Sequence, residues 1–244
     1  DQVDRAFRVG ENKARIPETS LAPMASAEFL EHIDISQTVG HFETTFGYRG
    51  SQANRSQNIE NAAKRLDGVV LMPLQVLSFN EVVGHRTLDN GFHKAWEIFK
   101  GEMVEGIGGG TCQVASTLHA AAYLGGLDVI ERSPHSRPSA YIPMGLDSTV
   151  VDGQVDLKLR NPFMFPVVIH SKWEPGRVTF ELLGRERPYT VSFSREVLKT
   201  RDFKRKVTES PSVSEGKIIR KQKGVMGYWI RRTRTIIPRN GSAR

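Results

Sequence analysis

The most informative segment of this chain is Gly108-Gly109-Gly110-Thr111-Cys112-Gln113-Val114, where a run of glycines meets an apolar stretch. The pattern predicts a helix from Cys112 to about Leu124 that ends at Gly125-Gly126, because glycine commonly follows the last helical turn. The single cysteine therefore stands at a helix start, where oriented N–H groups and the helix dipole favour the thiolate over the thiol. The thiolate is the form that attacks a carbonyl carbon, so the segment predicts a nucleophile.

The length and composition fit one large domain, or one domain with a small appendage. The 244 residues are 39% hydrophobic, which is enough for a sizeable core in a globular protein. Residues 1–27 are polar and interrupted by Pro17 and Pro23, so we predict an N-terminal arm or linker there. We predict the catalytic domain over residues 28–184 and a basic β-hairpin appendage over residues 185–244.

The spacing of apolar residues predicts an α+β fold, with helices packed on a mostly antiparallel sheet. A helix is expected over Arg55–Leu66, with Gly68 closing it. A short amphipathic helix is expected over Phe92–Phe99. Strands are predicted at residues 33–46, 69–72, 76–79, 127–132, 150–151, 155–159, 167–171 and 178–183.

The C-terminal appendage is strongly basic, and the chain as a whole has a net charge of +7. Apolar residues at 218–219 and 228–237 flank residues 223–227, which predicts a hairpin that turns within that segment. A basic segment attracts anionic wall polymers, membrane surfaces and nucleic acid alike. Nucleic acid is disfavoured, since the chain has neither a basic groove-reading helix nor an RNA-binding aromatic motif. We expect the appendage to hold the protein on an anionic surface and to contribute nothing to chemistry.

Acyl transfer by a thiol needs a nucleophile, a base, a group that orients the base and donors for the oxyanion. Order and spacing indicate Cys112 as the nucleophile and His135, which follows a predicted strand, as the base. Asp147 is expected to orient the histidine, with Asp156 as the alternative. His119 is a weaker candidate base, because it lies two helical turns, about 10 Å, from Cys112.

Arginines near the predicted base are candidates for holding a substrate carboxylate in a bidentate fashion. Arg132 and Arg137 flank His135, and Arg86 follows the dipeptide Gly84-His85. The cysteine, two histidines and an aspartate are also residue types that a zinc ion uses, but no short ligand pair has the spacing of a metal site. We therefore predict neither a metal nor another cofactor.

A series of short motifs in the middle of the chain matches the pattern of a known family. The motifs are Arg55, Asn58-Ile59, Leu77-Ser78-Phe79-Asn80, Val83-Gly84-His85-Arg86-Thr87, Gly91-Phe92, the glycine-cysteine segment, Ser116-Thr117-Leu118, Glu131-Arg132, His135-Ser136, Tyr141-Ile142-Pro143, Gly145-Leu146-Asp147-Ser148-Thr149-Val150, Asp156-Leu157 and Asn161. With them, the stretch from about Asn58 to Gly184 resembles the VanW domain, a family named from a vancomycin-resistance cluster. The segment after Gly184 is similar to the short β tail that follows such domains. His119 stands where the family pattern has tyrosine, so we do not expect it to be essential.

The resemblance implies work on the cell envelope, and some VanW-domain proteins look like L,D-transpeptidases, which make 3→3 cross-links in peptidoglycan. Carried over to this chain, it makes Cys112 the nucleophile and His135 the base, with Arg132 and Asp147 in supporting positions. The residues predicted to bind substrate are Arg86, Gly109, Gly110, Gln113, Ser116, Arg132, Arg137 and Tyr141.

We therefore expect a cysteine acyl-transferase that acts on peptidoglycan stem peptides through a Cys112 thioester, which an amine of another stem or water then resolves. The alternative is a non-catalytic module that binds peptidoglycan or an anionic glycopolymer. A thiol at a helix start with a histidine downstream favours the enzyme. An extracytoplasmic location is expected, in the periplasm or on the cell-wall face, with export or anchoring by a segment absent from this chain.

Overall fold

The computed structural model describes residues 27–99, 102–205, 207–214 and 216–239, with the backbone alone described for Ala27 and Phe99. The predicted N-terminal arm, residues 1–27, lies outside the described residues except for Ala27. A short helix, α1 (Ala27–Glu31), belongs to an N-terminal unit that ends at Ile33, and the chain from Asp34 onward forms a second compact unit. The fold and the site described below belong to this second unit.

The second unit combines helices with several antiparallel sheets, which confirms the predicted α+β class. Its helices are α2 (Ala53–Leu66), α3 (Phe79–Val83) and α4 (Thr111–Gly125), and a single turn of 3-10 helix spans Gly50–Gln52. Its strands are β1 (Gln37–Thr45), β2 (Val70–Leu71), β3 (Val76–Ser78), β4 (Lys94–Phe99), β5 (Glu102–Ile107), β6 (Asp128–Glu131), β7 (Lys158–Arg160), β8 (Val167–Glu174), β9 (Arg177–Gly184), β10 (Tyr189–Arg201) and β11 (Gly227–Pro238).

The core lies between helices α2 and α4 and a sheet with the strand order β1-β9-β8-β2, all antiparallel. Ile59 of α2, Leu118 of α4 and Phe180 of β9 are fully buried there. Helix α4 approaches β1 most closely at Gly40, where any Cβ would collide with the carbonyl oxygen of Ala121. This close approach holds α4 firmly, and with it the cysteine at its start. Strands β3, β7 and β6 form a second sheet, and β4 pairs with β5.

The helix predicted after the glycine run is present and begins and ends as the sequence indicates. Helix α4 spans Thr111–Gly125, and Gly126 follows it in a left-handed conformation with φ +93°. The helix is buried almost throughout, so that its polar residues Gln113, Ser116, Thr117 and His119 are buried together with its apolar ones.

The predicted helix over Phe92–Phe99 is wrong, because residues 94–99 form strand β4. The strand pairs with β5 in a register that runs from Lys94↔Ile107 to Phe99↔Glu102. Its side chains alternate, with Ala95 buried and Trp96 half exposed. The backbone hydrogen bonds to β5 decide the conformation here, and a window of eight residues contains no information about that partner.

The hairpin predicted to turn at residues 223–227 is also wrong. Strand β11 pairs instead with β10, from Tyr189↔Pro238 to Arg201↔Gly227, and residues 218–219 lie outside any strand. A separate basic appendage is not confirmed, because this hairpin packs on the core. The ring of Phe193 meets that of Tyr123 edge-on with centroids 6.0 Å apart, and Arg234 Nη1 donates to the carbonyl oxygen of Leu127 at 2.9 Å.

Candidate active site

The glycine run positions Cys112 through tight backbone packing. Gly110 precedes the first residue of α4 with φ +114°, a conformation that side-chain-bearing residues rarely adopt. A Cβ on Gly109 would lie 2.8 Å from the carbonyl oxygens of Ala95 and Trp96 in β4. Asn58 of α2 fixes the loop further by donating to the carbonyl oxygen of Gly109 at 2.9 Å. Gly109 and Gly110, both predicted to bind substrate, therefore allow the close backbone packing that positions the start of α4.

The thiol of Cys112 faces the backbone of Val150. Its sulfur lies 3.4 Å from the Val150 carbonyl oxygen, to which it donates, and the Val150 N–H donates back at 3.5 Å. Cys112 is half-buried, so the sulfur is held in place but not sealed in the core. The chain segment that carries Asp147 therefore runs directly past the predicted nucleophile.

His135 and Asp147 form a direct pair. One oxygen of the Asp147 carboxylate, Oδ2, accepts from the His135 backbone N–H at 2.8 Å and from its ring Nδ1 at 3.1 Å. The other, Oδ1, accepts from Arg132 Nη2 at 2.9 Å and from the Gly145 N–H at 3.0 Å. Asp156, the alternative partner, instead accepts from Ser78 Oγ at 2.6 Å near the start of α3. The structure thus pairs His135 with Asp147 and leaves Asp156 elsewhere.

The electrostatics of this pair favour a charged imidazolium beside a carboxylate. Burial opposes protonation of His135, but its hydrogen bond to Asp147 and its interaction with Cys112 outweigh burial and raise its pKa to about 9. Burial likewise opposes ionisation of Asp147, but the hydrogen bonds from His135 and the charge of Arg132 hold its pKa well below the usual range. Because Asp147 occupies Nδ1, the ring nitrogen left for Cys112 is Nε2. The arrangement therefore provides a protonated imidazolium that can donate a proton near the thiol.

The raised pKa of His135 predicts a stability that falls at high pH. Because the folded-state pKa lies above the ordinary 6.5, the stabilisation is complete below about pH 6.5 and is lost as the pH rises through 9. At about 1.4 kcal/mol per pKa unit, the free energy of unfolding should decrease by at most about 3 kcal/mol over this window. Urea denaturation at several pH values checks this, with His135→Gln as the control. An equally steep decrease in the control would contradict the assignment.

Gln113 and Ser116, predicted to bind substrate, are buried and bonded within the protein. Gln113 accepts from Arg55 Nη2 at 2.6 Å and donates to Thr44 Oγ1 at 2.8 Å. Ser116 donates to the carbonyl oxygen of Cys112 at 2.7 Å and accepts from the Ser148 N–H at 2.8 Å. Gln113 thus ties the start of α4 to α2 and β1, and Ser116 ties it to the segment after Asp147, so in this structure both support the site.

The three arginines predicted to bind substrate differ in whether their guanidinium nitrogens are already bonded within the protein. Arg86 donates to Asn80 Oδ1 at 2.6 Å, and its side chain is only 6% exposed. Arg132 is engaged with Asp147, to whose backbone oxygen its Nε also donates at 2.7 Å. Of these three, Arg137 alone keeps a buried guanidinium nitrogen, Nη1, that has no hydrogen-bond partner among the described residues. Of the three, Arg137 is thus the one with spare capacity for a substrate carboxylate.

Tyr141 and Arg55 complete the surroundings of the thiol. The ring of Tyr141 stands edge-on to that of His135, with centroids 6.4 Å apart. Burial and the nearby Cys112 raise the pKa of Tyr141, so its hydroxyl stays protonated. Burial lowers the pKa of Arg55, and the charges of Tyr141 and Cys112 oppose that decrease. Its bond to Gln113 places Arg55 beside the start of α4. The sequence marks Arg55 only as part of a motif and a helix, and the fold alone brings it to the cysteine.

His119 is excluded as the base by its burial. Its Nδ1 bonds the carbonyl oxygen of Leu146 at 2.7 Å, and burial lowers its pKa to about 4. A neutral, fully buried ring cannot exchange protons with a substrate. Among the described residues, no cluster of three or more His, Cys, Asp or Glu side chains is arranged to hold a metal ion.

The C-terminal hairpin reaches the site through Arg232. Its Nη1 donates to the carbonyl oxygen of Gly145 at 2.8 Å, and Gly145 in turn donates its N–H to Asp147. The guanidinium also lies 5.3 Å from the centroid of the Tyr123 ring. The hairpin therefore contacts the backbone that supports Asp147, and the expectation that it contributes nothing to chemistry stays a prediction.

We expect Arg232→Met to lower the free energy of unfolding by about 1–3 kcal/mol, because it removes the bond to Gly145 and the cation–π contact with Tyr123. Arg231→Met is the matched control. Arg231 occupies the adjacent position and pairs with Glu196 in an exposed ion pair, which contributes at most about 1 kcal/mol. Urea denaturation measures both, and equal losses in the two variants would refute the bracing role of Arg232.

Comparison with known proteins gives the class of this chain. Residues 54–183 match the family described as "VanW like protein". The chain is 37% identical over 203 residues to the uncharacterized protein YoaR of Bacillus subtilis (strain 168), which covers 83% of this chain and 62% of YoaR. It is 31% identical over 115 residues to the vancomycin B-type resistance protein VanW of Enterococcus faecalis (strain ATCC 700802 / V583), which covers 45% of this chain and 42% of that protein.

This chain belongs to the VanW-like family, as its motifs indicate. It spans less than two thirds of the length of either relative. No solved structure matches it significantly. Within the part of the chain that the structure describes, no helix has both the length and the apolar character needed to cross a bilayer.

Proposed function

We propose that this protein is a cell-envelope acyl-transferase in which Cys112 attacks peptidoglycan stem peptides. The observation that carries the proposal is the His135–Asp147 pair, in which the carboxylate accepts from Nδ1 at 3.1 Å and the nearby Cys112 contributes to the raised pKa of the histidine. This order of nucleophile, base and orienting acid is the arrangement that thiol-dependent acyl transfer requires.

The reaction has two halves, and His135 moves the proton in both. The thiolate of Cys112 forms a bond to the carbonyl carbon that precedes a terminal D-alanine. As the C–N bond breaks, the imidazolium donates its proton to the departing amine, and a thioester remains. An amine of a second stem, or water, then attacks the thioester and transfers a proton to the neutral imidazole. The C–S bond breaks, and the thiolate and the imidazolium are restored.

The positions around the thiol supply the remaining requirements of the reaction. The backbone N–H of Cys112, in the first turn of α4, is the proposed donor to the oxyanion, since the first N–H groups of a helix lack partners within it. Arg137, with its unpartnered Nη1, is the proposed partner of a substrate carboxylate.

The family supports a role in the cell envelope. A relative is named as a vancomycin B-type resistance protein, and the proposed substrate is a peptidoglycan stem that ends in D-alanine. An enzyme that removes or uses that end would work outside the cytoplasm, so we place the protein on the periplasmic or cell-wall side. The net charge of +7 would favour its binding to anionic wall polymers or membrane surfaces.

A non-catalytic binding module is the competing function, and mass spectrometry separates the two. Wild-type protein incubated with a stem tetrapeptide or a carbapenem should gain the mass of a covalent adduct, because both present an acylating carbonyl to the same thiolate. Cys112→Ala should gain none. Free D-alanine should be released from the tetrapeptide by the wild type alone. Absence of both adduct and D-alanine, with tight binding to cell-wall sacculi by both proteins, would establish the binding module instead.

A further inference from the structure

An open cleft of about 500 Å³ lies beside the catalytic residues, between the loop of residues 138–144 and the C-terminal hairpin. Tyr141 joins the two regions, since it lines the cleft and also contacts the ring of His135. The opposite wall includes Arg195 of β10 and Tyr228 of β11. A molecule in the cleft would therefore lie close to the predicted base while touching the hairpin.

The cleft contains polar groups that make no well-formed hydrogen bond. Ser139 Oγ and Tyr141 Oη are buried and lie close enough to interact, but neither forms a hydrogen bond of good geometry in the described part of the chain. Buried hydroxyl groups without partners are uncommon in folded proteins, because each loses its bonds to water. A ligand that accepts from or donates to these hydroxyls would satisfy them.

The charge around the cleft is positive and uncompensated. Arg195 is exposed and forms no hydrogen bond or ion pair within the described residues. It stands directly opposite Arg232 in the hairpin, and the bonds of Arg232 go to a carbonyl oxygen and an aromatic ring. Like charges directly opposite each other in a hairpin destabilise it, so an anion placed here would relieve the repulsion. None of the described residues that line the cleft is acidic.

The remaining walls of the cleft are apolar. Ile142, Met144 and Val225 contribute aliphatic surface, and Tyr228, which is 40% exposed, contributes an aromatic ring. Aliphatic and aromatic walls with a few polar groups and one cation fit a short peptide that carries a carboxylate better than a polyol phosphate chain, which has little apolar surface to bury.

We propose that this cleft binds the acidic part of the peptide substrate, with Arg195 pairing with a free carboxylate on the stem and Tyr228 covering its aliphatic portion. The proposal rests on the proposed acyl-transferase function and adds to it the subsite that selects the substrate. It gives the C-terminal hairpin a role in binding. The positive charge of the hairpin attracts the carboxylate, and its packing on the core places that charge at the cleft.

Binding to Cys112→Ala protein tests the subsite without turnover. The probes are a stem tetrapeptide with a free glutamyl α-carboxyl and the same peptide amidated at that group, measured by titration calorimetry. Arg195→Gln should weaken binding of the free-carboxyl peptide about tenfold, since a charge-assisted hydrogen bond is lost. Binding of the amidated peptide should barely change. Arg231→Gln, with the same change of charge on the opposite face of the hairpin, should leave both affinities unchanged.

The outcomes separate this proposal from the function on which it rests. If Arg195→Gln binds each of the two peptides as tightly as the parent Cys112→Ala protein does, the proposed subsite is overturned. This holds even if the wild-type protein forms the thioester. Charge-dependent binding that requires Arg195, with no thioester in the wild type, would uphold the subsite and reject the enzyme. Glycerol phosphate oligomers provide a further test as competitors of the bound peptide. If they displace it at a lower concentration than unlabelled free-carboxyl peptide does, the peptide subsite is overturned and the cleft is assigned to a wall polymer.

Discussion

Cys112→Ser should lower the turnover of a stem tetrapeptide by about 10³- to 10⁶-fold, which is the scale seen when a covalent nucleophile is removed. Serine has the same donor and acceptor capacity as the thiol that faces the backbone of Val150 and is nearly the same size, so the variant should fold. A hydroxyl, however, ionises far less readily than a thiol, so serine is a much poorer nucleophile towards the same carbonyl carbon.

Release of D-alanine, followed over time, gives the rate, and circular dichroism and the melting temperature show whether the variant is folded. Iodoacetamide provides an independent measurement, because rapid labelling of the wild type at neutral pH reports a reactive thiolate. A folded Cys112→Ser protein that releases D-alanine at the wild-type rate would remove Cys112 from the reaction.

Asp147→Asn should lower turnover by about 10²- to 10⁴-fold and move the alkaline limb of the pH–rate profile to lower pH. The carboxylate accepts from His135, Arg132 and Gly145, and it is a main reason why the pKa of His135 is raised to about 9. Without its charge the imidazolium loses its proton at lower pH, and the acid that protonates the leaving amine is lost with it.

Asp156→Asn is the matched control, because Asp156 is buried to a similar extent and also accepts several hydrogen bonds, but contacts Ser78 and Asn80 instead of the histidine. Both variants should lose stability, since each leaves buried donors without their acceptor. Only Asp147→Asn should move the alkaline limb, as measured from kcat between pH 5 and 10. A profile that keeps its alkaline limb near 9 in Asp147→Asn would show that His135 does not depend on this carboxylate.

The local sequence determined the elements whose signals lie within a short window. The glycine run, the apolar stretch after it and Gly125-Gly126 were enough to place α4 and Cys112 at its start, because helix termini depend on nearby backbone conformation. Motifs alone also gave the family, and the order of Cys112, His135 and Asp147 could be derived from the chemistry that a thiol requires.

Tertiary structure decided which residues meet. Residues 94–99 became a strand because β5 supplies their backbone hydrogen bonds, and β11 took β10 as its partner across an intervening segment. Arg132, Gln113 and Ser116, predicted to touch substrate, bond instead within the protein. When two strands or two side chains are far apart in sequence, their pairing depends on the packing of the whole chain. A local sequence pattern therefore cannot predict it.

The sequence also could not decide whether Asp147 or Asp156 forms the hydrogen bond to His135. Both aspartates follow His135 at distances along the chain that permit contact, and only the path of the backbone brings Asp147 to Nδ1 and Asp156 to α3. The sequence by itself determined the chemical types at the site and the helix that presents the nucleophile. The fold selected the pairings, because hydrogen bonds depend on distances of a few tenths of an ångström that only the assembled core sets.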